Sequence, residues 1–186
     1  MVLTTVRLLT GSAMRDSSGI RVGRSDDASR LAVLATQVWL HTYATDGIAR
    51  DNAEYVLREL TPEKYSALLN DSASRVVVAE HHENLVGLAV VKFGVPCPAG
   101  SNSAAELQTL YVQENFVGRG IGKLLLQAAE SKVRQHLNTP LWLTVNAKNT
   151  EAIAFYAHLG YAKIGTTSFV LGAGRHENHV LIGRDA

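Results

Sequence analysis

The chain has 186 residues, of which 46% are hydrophobic and 19% are charged, and its formal net charge at pH 7 is +1. This length suits one domain with a sizeable core, and so small a charge provides no field that would select nucleic acid or a membrane as partner. The single cysteine, Cys97, excludes an internal disulfide framework and favours a reducing compartment, the cytoplasm. It lies between two prolines in a predicted loop, and we do not expect it to act as a nucleophile.

The N-terminal residues lack the pattern of a secretory signal. Residues 1–19 contain short apolar runs interrupted by Arg7, so no secretory signal is expected, and no segment is long enough to span a bilayer. We predict that residues 1–19 form a flexible leader, within which Met14 is an alternative start. Residues 20–186 are predicted to form a single domain.

The first half of this domain reads as one strand, three helices and a hairpin. A short strand at 20–22 precedes a helix whose apolar residues share one face: Leu31, Leu34, Val38 and Trp39. A short helix follows around Tyr55, and another starts at Pro62 with Thr61 as its cap. The β-rich runs at 75–80 and 85–93 then form a hairpin, and a loop over 94–102 leads to the next strand.

Residues 106–136 organise the rest of the chain. They predict a strand at 106–112, a glycine cluster, and a helix with apolar residues at Ile121, Leu124, Leu125, Ala128, Ala129 and Val133. Gly118, Gly120 and Gly122 remove side chains where the strand turns into the helix, so unpaired N–H groups at the helix start can approach an anion. Arg119 and Lys123 add two positive charges. This pattern predicts a phosphate-binding turn.

Spacing excludes two common phosphate-binding motifs. A Walker loop would need glycine at 117 and a hydroxyl residue at 124, where the chain has Val117 and Leu124. A dinucleotide fingerprint would need a third glycine at 123 or 125, where the chain has Lys123 and Leu125. A mononucleotide site and a glycine-rich turn without a ligand stay open.

The C-terminal part adds a strand at 141–145, a helix at 150–158 and a last strand at 180–183. This mixture excludes a pure helical bundle or β-sandwich. The seven histidines do not predict a metal site. His176 and His179 would point to opposite faces of a strand, and no cysteine or paired carboxylate completes a ligand set.

Two motifs resemble the GNAT superfamily of N-acetyltransferases. The run V-G-R-G-I-G after a strand is similar to the family's acyl-CoA loop, Arg/Gln-x-x-Gly-x-Gly/Ala, although Val117 stands where the family has Arg or Gln. Residues 143–165 resemble its C-terminal signature, with matches at Asn149, Ala152, Phe155, Tyr156, Gly160 and Tyr161. The resemblance covers residues 20–184 and is most specific over 110–165.

The resemblance implies an α/β (α+β) fold, with a mixed central sheet of six to seven strands and helices on both faces. This sheet splays between the strands that end near Val112 and Val145, and the acyl-pantetheine arm of acetyl-CoA, the co-substrate, lies in the gap. No metal is implied. The implied cofactor contacts are Leu110, Tyr111, Val112, Val117, Gly118, Arg119, Gly120, Ile121, Gly122, Lys123, Asn149, Ala152 and Tyr156.

The same resemblance assigns two catalytic residues. Tyr156 matches the family's tyrosine at the thioester sulfur, where a phenol with a reference pKa of about 10 stays protonated and can donate to the leaving thiolate. A purely structural role beside Phe155 is the alternative. Glu106 matches the general base of the histone-modifying members, with His179 and Tyr111 as lower-ranked candidates. Asn149 would contact the pantetheine arm or cap a helix.

These residues predict an acetyl-CoA-dependent N-acetyltransferase that acetylates a small primary amine, such as a polyamine, directly in a ternary complex. Protein N-terminal or lysine acetylation and a catalytically silent CoA-binding module are the alternatives. A homodimer is open. Two segments, residues 39–55 and residues 166–178, are expected to bind the acceptor. Their candidate acceptor-binding residues are aromatic, polar or acidic: Trp39, Tyr43, Tyr55, Phe169, His176, Asn178, Asp46, Asp51, Glu54 and Glu177.

Overall fold

The computed structural model describes residues 3–5, 18–172 and 174–184, with side chains over 19–172 and 174–184. The strands are β1 Leu3–Thr5, β2 Ser18–Val22, β3 Ser74–His81, β4 Asn84–Phe93, β5 Ala105–Val112, β6 Trp142–Asn146, β7 Ala162–Leu171 and β8 Gly174–Ile182. The helices are α1 Ala28–Tyr43, α2 Arg50–Glu59, α3 Pro62–Asn70, α4 Ile121–His136 and α5 Thr150–His158.

One mixed sheet runs through the molecule in the order β2-β3-β4-β5-β6-β8-β7, and β1 pairs with β5 outside this path. Strand β5 pairs with β4 along its whole length, but it pairs with β6 at one position only, Glu106 opposite Trp142. The predicted mixed sheet with a splay between these strands is confirmed.

A β-bulge accompanies the splay. Val90 lies opposite Thr109 and the next residue, Val91, lies opposite Leu107, so Gln108 is an extra residue in β5. A bulge bends its strand and increases the local twist. Strand β5 therefore turns away from β6 directly after the Glu106 position.

Helices cover both faces of the sheet and bury a core on each. Leu107, Leu110 and Val112 of β5 pack in the core formed with α4 and α5. Tyr111 packs in the other core, formed with α1 and α3. Because side chains alternate along a strand, Glu106 points away from the core that contains Leu107 and lies on the same face as Tyr111. Trp142, which pairs with Glu106, lies on that face too. The two cores thus define a face with α4 and α5 and an opposite face with α1 and α3.

An ion-pair network anchors the start of α1. The buried carboxylate of Asp27 accepts hydrogen bonds from Nη1 of Arg21 at 2.6 Å and from the backbone N–H of Arg24 at 2.8 Å. The hydrogen bond from Arg21 lowers the pKa of Asp27 to about 2, against the effect of burial. Arg21 also bonds to Glu80 on β3, so the network ties α1 to the sheet.

Most predicted elements are confirmed, including the Thr61 cap, whose Oγ1 accepts from the Lys64 N–H at 3.3 Å. The apolar stripe predicted for α4 is wrong at Leu124, which is 44% exposed, and Leu126 is buried instead. The last strand begins at Gly174 rather than at 180, because residues 166–178 contribute to the hairpin of β7 and β8.

The predicted leader, residues 1–19, lies mostly outside the described residues. Its described parts, Leu3–Thr5 and residues 18–19, belong to strands β1 and β2. None of the helices in the described part combines the length and apolar composition that crossing a bilayer requires.

Candidate active site

The glycine turn between β5 and α4 presents backbone N–H groups at an open surface. Gly118 and Gly120 have φ of 81°, a left-handed conformation that glycine adopts without strain. The Leu124 N–H bonds to the carbonyl of Gly120, the N-cap of α4, so the N–H groups of the three residues between them have no acceptor within the helix. A Cβ placed on Gly120 would meet no atom within 4 Å. The turn therefore has the form of an anion-binding site.

A cavity of about 190 Å³ adjoins this turn. Its lining combines the turn with residues of β5 and α5: Val112, Phe116, Val117, Gly118, Gly120, Ile121, Gly122, Lys123, Phe155, His158 and Leu159. The exposed guanidinium of Arg119 lies 4.8 Å from the ring centroid of Phe116. The Val117 N–H donates to the Glu114 carbonyl at 3.1 Å, so Val117 offers a ligand its side chain rather than its amide.

Tyr156 is held rigidly on the face with α4 and α5. Its side chain is fully buried, and its ring packs against Phe155 and Tyr161 at centroid distances of 5.2 Å and 5.4 Å. The Tyr161 hydroxyl donates to Glu130 at 3.0 Å, which fixes that ring in turn. The helix that carries Tyr156 starts at Asn149, whose Oδ1 accepts from the Ala152 N–H at 3.0 Å. Asn149 is thus an N-cap, and a ligand contact would have to come from its NH2 group.

Glu106 lies on the opposite face, at the one position where β5 and β6 pair. Its side chain is almost completely buried, and burial raises the pKa of its carboxyl, an effect that the charge of Lys92 opposes. Lys92 is its neighbour across β4 and donates to Asp71 at 2.9 Å. A carboxylate with a raised pKa is a better proton acceptor than an ordinary glutamate.

The two lower-ranked candidates for the general base, Tyr111 and His179, have positions less suited to that role than Glu106 has. Tyr111 is buried, and this burial raises the pKa of its phenol well above the ordinary value, so it stays protonated at neutral pH. His179 lies opposite Val145 and two residues from Leu181, both in the core with α4 and α5. Its side chain therefore lies on the face opposite to Glu106.

A cavity of about 640 Å³ opens on the Glu106 face, beside the bulge of β5. Aromatic side chains of α2, α3, β5 and β7 line it, together with Lys92 and bulge residues: Tyr55, Tyr65, Tyr111, Phe169, Lys92, Gln108 and Thr109. Sequence reasoning found Tyr55 and Phe169 but missed Lys92 and the bulge, which strand pairing places, and Tyr65, which the packing of α3 on the sheet places. Among the described residues, no group of histidine, cysteine and carboxylate side chains could hold a metal ion.

Comparison with known proteins decides the family. The model of the acetyltransferase (GNAT) family matches residues 36–161, more than half of the chain. The chain belongs to the GNAT family. This membership makes it an acyltransferase of the class that uses acetyl-CoA.

Related proteins cover nearly the whole domain. An uncharacterised N-acetyltransferase of Mycobacterium tuberculosis is 28% identical over 159 residues, which are 86% of this chain and 97% of the relative. The PaiA N-acetyltransferase from Thermoplasma acidophilum, solved in complex with coenzyme A, superposes with a TM-score of 0.75 over 90% of this chain and 99% of that one, at 22% identity. The ribosomal-protein-alanine N-acetyltransferase from Brucella melitensis superposes with a TM-score of 0.63 over 88% and 97%, at 23% identity.

The glycine turn of this GNAT protein yields a first prediction. Asparagine and aspartate both tolerate a left-handed backbone, so Gly120→Asn and Gly120→Asp carry similar strain and differ mainly in charge. Since a carboxylate there would repel a bound pyrophosphate, we expect Gly120→Asp to bind acetyl-CoA about 10- to 100-fold more weakly than Gly120→Asn at low salt. Isothermal titration calorimetry measures both affinities. Equal affinities would show that the pyrophosphate binds elsewhere.

Proposed function

We propose that this enzyme transfers the acetyl group of acetyl-CoA directly to the primary amine of a small molecule, with both substrates bound at once. The observation that carries the proposal is the gap between β5 and β6. Tyr156 lies on one face of the sheet, whereas Glu106 and the 640 Å³ cavity lie on the other. A gap that connects the two faces lets an acyl donor meet an acceptor without a covalent enzyme intermediate.

The residues of the glycine turn and of β5 fit acetyl-CoA. The first N–H groups of α4, at Ile121, Gly122 and Lys123, would hold the pyrophosphate, and Arg119 would add charge. The edge of β5 from Leu110 to Val112 would bind the pantetheine arm through backbone groups, as would Asn149 and Ala152 at the start of α5. Acetyl-CoA supplies a thioester that an amine can attack.

Two protons move in this reaction, and we assign Glu106 as the proton acceptor and Tyr156 as the proton donor. The amine forms a C–N bond to the acetyl carbon as the C–S bond breaks, so the amine loses a proton and the thiolate gains one. Glu106 would accept the first proton through water, because it does not line the cavity whereas its cross-strand neighbour Lys92 does. Tyr156 donates its phenolic proton to the sulfur.

The charges of the cavity support the proposal of an acceptor with one amine and an apolar body. Its two lining carboxylates, Glu59 and Asp71, are already paired, and hydrogen bonds from Lys64 and Arg58 lower the pKa of Glu59, as those from Ser74 and Lys92 lower that of Asp71. The four carboxylates expected to bind a cationic acceptor, Asp46, Asp51, Glu54 and Glu177, do not line this cavity. Aromatic walls favour an apolar or aromatic body.

One rival function has specific support, and a second makes a distinct prediction. The name of the Brucella relative, a ribosomal-protein-alanine N-acetyltransferase, is consistent with a peptide acceptor on this fold. A silent CoA-binding module would have the same glycine turn but no turnover. The expected cytoplasmic location and the open question of a homodimer stay predictions.

Tyr156→Phe tests the proton donor. The change keeps the packing of the ring but removes the phenolic proton, so we expect turnover to fall by about 10²- to 10⁴-fold while the affinity for acetyl-CoA changes little. Tyr161→Phe is the matched control, because it removes a hydroxyl and its bond to Glu130 from the adjacent ring and so measures how much turnover depends on the packing of Tyr156 alone. Unchanged turnover in Tyr156→Phe, measured where chemistry limits the rate, would make Tyr156 a structural residue only.

The pH dependence tests the base. Glu106 must be ionised to accept a proton. We therefore expect kcat/KM to be low at a pH below the raised pKa of Glu106 and to increase as the pH rises through that pKa. We expect Glu106→Gln to lower kcat/KM by about 10²- to 10⁴-fold and to abolish this acidic limb. Glu83→Gln, in the exposed turn between β3 and β4, should keep the wild-type profile. An acidic limb that persists in Glu106→Gln would assign the base to another group.

An acceptor competition tests the substrate class. Phenethylamine, spermidine, an aminoglycoside and a short peptide with a free N-terminus are offered together with limiting acetyl-CoA, and the acetylated products are measured by mass spectrometry. We expect the monoamine with an aromatic body to be acetylated in preference to the polycations, because the lining carboxylates are paired. Exclusive acetylation of the peptide would move the enzyme to the protein-modifying branch.

A further inference from the structure

The edge of β5 that faces β6 is already occupied by the chain itself. Strand β4 takes the other edge of β5 from Ala105 to Val112. Strand β1 pairs with β5 in parallel, with Leu3 opposite Thr109, Thr4 opposite Leu110 and Thr5 opposite Tyr111. Because each strand has only two edges, β1 must lie on the edge toward β6, and it contacts both β6 and α5. The described N-terminal residues thus lie inside the gap.

This position is the one that the proposed function gives to the pantetheine arm. Strand β1 pairs with residues 109–111, and the arm would pair with residues 110–112. Both would use the edge at Leu110 and Tyr111, and one strand edge cannot pair with two occupants. We propose that Leu3–Thr5 is a built-in strap that closes the acetyl-CoA slot and has to leave before the cofactor binds. The proposal rests on the proposed function, since it concerns the regulation of the same site.

The direction of β1 supports this interpretation. In a parallel pair, Leu3 lies toward the closed end of the gap at the Glu106–Trp142 position, and Thr5 lies toward the open end that leads to the glycine turn. Three residues span about 10 Å of strand. The strap therefore runs along the gap in the direction that an arm anchored at the glycine turn would take, rather than crossing it.

The short length of the strap makes it displaceable. Three paired residues form few hydrogen bonds, each with a small net contribution in water. The apparent affinity for acetyl-CoA is the intrinsic affinity reduced by the fraction of molecules in which the strap is open. The strap would thus set a threshold of acetyl-CoA concentration, and a partner that captured the N-terminal segment would activate the enzyme.

A backbone variant of the full chain tests the strap. Successive N–H groups of a strand point to opposite edges, so either Leu3 or Thr4 directs its N–H at β5. The double variant Leu3→Pro/Thr4→Pro lacks both N–H groups and therefore lacks the one directed at β5. We expect this variant to bind acetyl-CoA about tenfold more tightly than wild type in calorimetry. Leu3→Ala/Thr4→Ala keeps both N–H groups and should stay closer to wild type. Equal affinity of the proline variant and wild type would overturn the strap.

A second readout needs no cofactor. Hydrogen exchange at residues 109–112 of the cofactor-free protein should be faster in the proline variant than in wild type. A synthetic peptide of residues 1–17, added to the proline variant, should slow this exchange and compete with acetyl-CoA, whereas the same peptide with both prolines should not.

The two proposals fail in different ways. If no variant binds acetyl-CoA but wild type protects residues 109–112 more than the proline variant does, the proposed function is overturned and the strap's role falls with it, while the pairing of β1 with β5 stands. If exchange and affinity are the same in both proteins, the strap is overturned while the proposed function stands.

Discussion

The single pairing between Glu106 and Trp142 is the constraint on which the site depends. Neighbouring parallel strands ordinarily exchange hydrogen bonds along their length, but the extra residue Gln108 turns β5 away after this one position. The backbone groups of β5 beyond the bulge then need other partners, because unpaired groups buried away from water are costly. Strand β1 supplies partners in the described structure, and the cofactor arm would supply them in the proposed complex.

The bulge also assigns the side chains of β5 to their faces. Without an extra residue, Leu107 and Leu110 would point in opposite directions, yet both pack in the core with α4 and α5. The shift leaves Glu106 and Tyr111 on the face with α1 and α3. A glutamate whose pKa is raised by burial and a rigid tyrosine therefore lie on opposite sides of one opening. Such a division suits a reaction in which donor and acceptor arrive from different sides.

Local pattern predicted much of this structure. Helical spacing located α1, and cap residues located α3 and α5, whose bounds at 150–158 agree with the prediction. The glycine turn was predictable because only glycine adopts a left-handed backbone freely and leaves N–H groups accessible. Leu124 and Leu126 could not be distinguished in this way, since a leucine-rich stretch fits two adjacent helical faces.

Features that depend on strand pairing could not be predicted. Nothing in the residues around Gln108 marks a bulge, which exists only in the register between β4 and β5. Strand β1 lies more than 100 residues from its partner and has only three residues, too few for a periodic signal. The pairing of Glu59 with the preceding residue Arg58 and with Lys64, and of Asp71 with Lys92, was also not predicted, because it depends on side-chain conformation and packing.

The most direct test of the account is a crystal structure of the full chain with acetyl-CoA bound. We expect the pantetheine arm along residues 109–112 in the gap between β5 and β6, the pyrophosphate at the N–H groups of residues 121–123, and Leu3–Thr5 displaced from the edge of β5. Acetyl-CoA bound outside this gap, with β1 still paired to β5, would contradict it.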